Sequence, residues 1–131
     1  MGAQLPQLSQ LLAVALGGAI GASARFVVSS GVTAWLGRGF PYGTVFVNVV
    51  GSFIIGVLYV VLTERAGVHP LWRDLLVVGI VGGFTTFSSF SIETIVLLEQ
   101  QAVGRAVTNV LFSVTVCLLA TWLAIIITRR L

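Results

Sequence analysis

Between Gly79 and Glu93 an otherwise apolar run carries Gly82-Gly83, Thr85-Thr86, Ser88-Ser89 and Ser91, with Phe84, Phe87 and Phe90 at three-residue spacing. The polar groups here are neutral hydrogen-bond donors. Asn48, in another apolar stretch, adds an amide. Phenylalanine rings have a negative face and a positive edge, so edges turned toward a pathway contact an anion weakly. Weak contacts suit conduction, because a bound ion must also leave. A cation path would more naturally use carboxylates or rings of carbonyls, and only Glu93 is at hand. The alternative for the phenylalanines is ordinary core or lipid-facing packing. No enzyme constellation competes. Glu93 and Glu99 have no histidine partner, the serines lack a nearby base, and Gly82-Gly83 opens no phosphate-binding lysine motif.

These residues must be positioned inside a membrane. The chain has 131 residues, 57% hydrophobic and 8% charged, with a mean hydropathy of +1.08, whereas a soluble domain carries about a quarter charged residues. One membrane domain over residues 1–131 is expected, an all-α fold of four transmembrane helices with a break in the third. Met1 to Gln10 reads as a polar lead-in without the basic flank of a signal peptide, so the first span is expected to be retained. The spans fall at about 11–29, 44–62, 75–97 and 106–128. Two glycines followed by two β-branched threonines make a poor helix, which predicts a break at 82–86. Backbone groups freed there must be satisfied by protein, water or an ion.

The first span carries Gly17-x-x-x-Gly21, a close-packing pattern for helices in lipid. Gly31 to Tyr42 reads as a loop, and Thr63 to Asp74 as a charged loop in which His69 is solvated. Leu98 to Arg105 reads as a polar connection. Asn48 is either interhelical glue or a donor lining a pathway. On the fourth span Asn109, Ser113, Cys117 and Thr121 recur every four residues, a stripe facing a partner helix or a narrow wet path. Its hydroxyls have the further option of bonding backbone carbonyls one turn back.

All seven basic residues are arginines near segment ends or in loops, which points to headgroup anchoring and not to nucleic acid. Arg65, Arg73, Arg129 and Arg130 fall on one side of the membrane, against Arg25, Arg38 and Arg105 on the other. A four-to-three balance is a feeble orientation signal and is compatible with insertion both ways. Four short helices are also few for enclosing a polar path, so an antiparallel dual-topology homodimer is expected. Cys117, the single cysteine, excludes an intrachain disulfide.

Three motifs in order resemble the Fluc, or CrcB, fluoride channels. They are Gly17-Gly18-x-x-Gly21-Ala22-x-x-Arg25-Phe26, then Gly43-Thr44-x-x-Val47-Asn48-x-x-Gly51-Ser52-Phe53-x-x-Gly56, and then Gly82-Gly83-Phe84-Thr85-Thr86-Phe87-Ser88-Ser89-Phe90-Ser91-x-Glu93. The resemblance implies a multi-pass protein of a bacterial or archaeal inner (plasma) membrane that passively exports fluoride through the two antiparallel pores of a homodimer. It implies that Phe87 and Phe90 are pore phenylalanines, that Asn48, Ser88 and Ser89 are pore donors, and that Thr121 belongs to a polar track. It also implies a structural sodium at the dimer interface, held by the main-chain carbonyls of Gly82 and Thr85. Arg25 and Glu93 match charged positions near the pore. Two alternatives stand beside this reading: a small dual-topology multidrug-type transporter, and a non-transporting membrane assembly protein. The first needs a membrane-embedded acid in span one, and Leu11 to Ser29 has none.

Overall fold

A computed structural model of the chain describes residues 3–65 and 67–131. Met1 and Gly2 of the lead-in, and Ala66 of the charged loop, lie outside the described residues. The described residues form helices and connections only, and four helical stretches are long and apolar enough to cross a membrane. We number the helices α1 (Leu8–Leu36), α2 (Tyr42–Glu64), α3 (70–84), α4 (Phe87–Glu99) and α5 (Val103–Arg130). The last turn of α2, Val60–Glu64, and the middle of α3, Asp74–Val81, are π-helical. Together α3 and α4 make the third span.

The helices run further than the apolar windows. Helix α1 passes through Gly31 and stops at Gly37, whose φ of 88° suits glycine alone. A mid-helix glycine costs about 1 kcal/mol, too little to end a helix that neighbouring residues favour. The expected loop from Gly31 therefore shrinks to the residues after Leu36. Helix α3 begins at Pro70, not after Asp74. His69 is its N-cap, with Nδ1 accepting the Leu71 N–H at 3.2 Å, and proline occupies the first helical position. His69 thus has a structural task. The polar connection after span three shortens too, because α5 already starts at Val103.

Close packing explains the glycines. Helix α1 lies along α3, and α2 lies along α5. A Cβ on Gly21 would collide with the Ile80 carbonyl, and one on Gly17 with the Leu75 carbonyl, whereas Gly18 faces open space. Gly83 packs on α1 in the same way, where a Cβ would come within 2.9 Å of the Gly18 carbonyl. Gly82–Phe84 forms a helical turn continuous with α3, and of the two glycines Gly83 serves this helix contact. The residues that leave helical geometry are Thr85 (φ −86°, ψ 158°) and Thr86 (φ −151°, ψ 114°).

Several arginines tie chain segments together where headgroup anchoring was expected. Arg65 donates to the Thr128 carbonyl in the last turn of α5, Arg129 pairs with Glu64, and Arg105 donates to the Gly39 carbonyl. Near the start of α3, Gln10 Nε2 donates to Asp74 Oδ2 at 3.2 Å.

Candidate functional site

Thr85 and Thr86 form the junction between α3 and α4, and the site is built around them. In a continuous helix the Thr86 N–H would bond to the Gly82 carbonyl. Here it donates to Asn48 Oδ1 of α2 at 2.7 Å, and Asn48 Nδ2 donates to the Thr86 carbonyl at 3.0 Å. One amide side chain therefore replaces both helical partners of one peptide residue. One of the two Nδ2 hydrogens is left over from this pairing. The Ser89 N–H is diverted as well, from the Thr85 carbonyl to Thr86 Oγ1 at 3.2 Å, which makes Thr86 the N-cap of α4. The carbonyls of Gly82 and Thr85 have both lost their ordinary helical donors. Across from them a Cβ on Gly51 would strike the Thr85 side chain, so α2 can approach only with glycine there.

The hydroxyls divide into two groups. Those of Ser91, Thr94, Thr108 and Thr128 each donate to a carbonyl four residues back. Thr121 spends its single proton on the Ser52 carbonyl at 2.8 Å and the Cys117 carbonyl at 3.1 Å, linking α5 to α2. The second group is a cluster: Thr86 Oγ1 donates to Ser89 Oγ at 3.1 Å and lies 3.3 Å from Ser88 Oγ. That arrangement leaves the Ser89 proton uncommitted.

Two cavities border the junction and a third adjoins the smaller of them. The largest, about 470 Å³, is an open cleft lined by Asn48, Thr86, Phe87, Phe90, Ser113 and Cys117 among others, with Gly82 and Thr85 at its edge. Phe87 and Phe90 sit in it with ring centroids 5.3 Å apart, tilted by 47°. Phe87 is 77% exposed in the single chain. The second cavity, about 260 Å³, is lined by Arg25, Ser29, Thr44, Thr86, Ser89 and Glu93. A third, about 360 Å³, shares Ser29, Thr44 and Glu93 with it and reaches Arg38 in the α1–α2 loop.

Arg25 and Glu93 both face the second cavity. Thr44 Oγ1 donates to Glu93 Oε1 at 2.8 Å. Glu93 Oε2 and Arg25 Nε are buried and have no hydrogen-bond partner among the described residues. A buried orphan donor and a buried orphan acceptor on one cavity point to a polar occupant. Sequence reasoning named both residues and missed Thr44, whose link to Glu93 spans 49 positions. It counted Thr86 as one hydroxyl donor among several, and the structure makes it the centre of the cluster. The stripe on α5 is split: Ser113 and Cys117 line the cleft, Thr121 bonds to α2, and Asn109, 1% exposed, donates to Thr94 at 2.9 Å as interhelical glue.

Fold and site together define a small multi-pass helical membrane protein in which Thr85 and Thr86 border a cleft that also holds Asn48, Phe87 and Phe90. Residues 12–125 match the family described as CrcB-like protein, Camphor Resistance (CrcB), and the chain belongs to that family. Its similar proteins include three named fluoride-specific ion channel FluC. The protein of Magnetococcus marinus is 49% identical over 120 residues, covering 92% of this chain and 98% of its own. That of Geobacter metallireducens is 47% identical over 121 residues, with the same two coverages of 92% and 98%. That of Methylococcus capsulatus is 50% identical over 121 residues, which is 92% of this chain but 53% of that longer protein. These are ion channels by name, not enzymes, in agreement with the want of catalytic groups in the sequence.

Proposed function

We propose that the chain is a fluoride-selective channel, letting fluoride leave the cytoplasm passively through two pores of an antiparallel dual-topology homodimer in the inner membrane. The observation that carries this is the convergence of neutral donors and the Phe87–Phe90 pair on one helix junction, in a chain whose relatives bear that name. Fluoride is small and strongly hydrated, so a pore must substitute donors for lost water. Asn48 keeps one amide hydrogen over, Ser89 keeps its hydroxyl proton, and Arg25 keeps its Nε–H. Ser88 stands beside Thr86 as a further hydroxyl. Thr121 belongs to the wall, its proton already given to Ser52.

The dimer is supported by the open cleft and by Phe87, which needs a cover that this chain does not supply. The near-equal arginine count on the two sides is compatible with both orientations. A structural sodium also fits the junction. The carbonyls of Gly82 and Thr85 have lost their helical donors and both residues line the cleft; carbonyl oxygens are the hard donors that a small cation takes. Among the described residues no cluster of three His, Cys, Asp or Glu side chains offers a rival metal site. When bound, the ion supplies positive charge in a low-dielectric setting where anions must pass.

Fluoride efflux from liposomes holding the purified protein, read by electrode with chloride in parallel, tests the proposal. Rapid fluoride release without chloride release is expected. Release of neither ion from folded protein would refute it.

A further inference from the structure

The large cleft and the inner cavity share one lining residue, Thr86. We propose, on the channel reading above, that Thr86 is the hand-over residue between them, its hydroxyl the donor that passes fluoride from one cavity to the other. Three observations carry this. Thr86 is buried, at 8% exposure, and lines both the 260 Å³ cavity and the 470 Å³ cleft. Its N–H and C=O are both held by Asn48, at 2.7 and 3.0 Å, so its backbone cannot swing aside. Its hydroxyl is the one polar group of the residue left free to turn, and it meets two alternative oxygens, Ser89 Oγ at 3.1 Å and Ser88 Oγ at 3.3 Å.

The neighbours set where an anion sits. The inner cavity presents Arg25 Nε–H and the uncommitted Ser89 hydroxyl as donors, and Glu93 Oε2 as an opposing oxygen. An anion therefore sits on the Arg25 and Ser89 side, next to Thr86. On the far side the spare Asn48 amide hydrogen and the Phe87 and Phe90 rings border the cleft. The Thr86 O–H turns from Ser89 to the ion and back, and no backbone movement is needed.

The test is fluoride efflux from liposomes by the full-length protein carrying Thr86→Val, Thr86→Ser or Thr86→Cys, with elution volume as the check on folding. Thr86→Val keeps the shape and removes the donor together with the oxygen that caps the Ser89 N–H, which is why folding is checked and Thr86→Cys is compared. The valine variant is expected to lower flux by about ten- to a hundredfold, the worth of one hydrogen bond to a charged group. Thr86→Ser keeps the donor and restores flux. Should Thr86→Val not fold, Thr86→Cys, a weak donor of serine's size, replaces it and falls well below Thr86→Ser. Folded Thr86→Val with wild-type flux, or serine and cysteine variants that are alike, would overturn the assignment while the channel reading stands. A folded wild-type protein that moves no fluoride would overturn both.

Discussion

Replacing Asn48 with leucine is the most informative single change. The side chain makes two hydrogen bonds to one residue, accepting the Thr86 N–H at 2.7 Å and donating to the Thr86 carbonyl at 3.0 Å. Leucine has similar bulk and makes neither bond. Two backbone groups then stand unpaired at membrane depth, where water is scarce. Each orphan costs about 1–3 kcal/mol, so the pair costs about 4 kcal/mol, roughly a thousandfold in the folded-to-unfolded ratio. The chain has one way to avoid that loss. Thr85 and Thr86 can turn helical, returning the Thr86 N–H to the Gly82 carbonyl and joining α3 to α4. The healed helix removes the carbonyls and hydroxyl cluster of the junction. Either route abolishes function. Reconstituted Asn48→Leu should lose fluoride efflux, and in detergent it should show a markedly lower unfolding midpoint or a gain in helix by circular dichroism. An Asn48→Leu protein with wild-type efflux, midpoint and helix content would refute the reasoning that this clamp holds the junction open.

Other expectations follow from the same geometry. Phe87→Ile or Phe90→Ile should cut fluoride efflux while leaving the elution profile unchanged, because these rings line the cleft and Phe87 is largely exposed in the single chain; unchanged efflux in both would remove the rings from the pathway. Gly21→Ala forces a methyl into the Ile80 carbonyl and should destabilise by about 1–3 kcal/mol, whereas Gly18→Ala meets open space and should be neutral or stabilise by up to about 1 kcal/mol. Thermal unfolding of the two variants gives the comparison, and equal midpoints would contradict the packing described for α1 on α3. Exchange of sodium for a bulky organic cation should lower the unfolding midpoint of the wild-type protein, and leave that of Asn48→Leu with a healed helix unmoved. A wild-type midpoint that ignores sodium would speak against a cation at Gly82 and Thr85.

Much of this architecture was legible in the sequence because membrane spans are written in long apolar runs, and the Thr85-Thr86 pair stands out within one. Helix ends were harder to read. Gly31 looked like a stop yet lies inside α1, because its neighbours outweigh one glycine; the stop falls at Gly37, a glycine within the expected loop, at a positive φ. His69 looked like a solvated loop residue, although His-Pro ahead of an apolar run is what a capped helix start looks like. Gly82 and Gly83 were read as part of a break, yet both are helical, and Gly83 makes room for α1. The partners of the site were the least legible. Asn48 was known to need company in lipid, but its choice of Thr86, 38 positions away, depends on how α2 packs against the junction. The same holds for Thr44 with Glu93 and for Thr121 with Ser52. A regular stripe such as Asn109 to Thr121 states that these side chains share a helix face. It does not state that two of them are spent on neighbouring helices.

The most direct test of the channel proposal is the reversal potential of currents through the protein in a planar bilayer, with a fluoride gradient opposed by a chloride gradient. The proposal predicts reversal at the fluoride equilibrium potential, unaffected by chloride. Reversal at the chloride potential, or no current from protein shown to be folded and inserted, would contradict it.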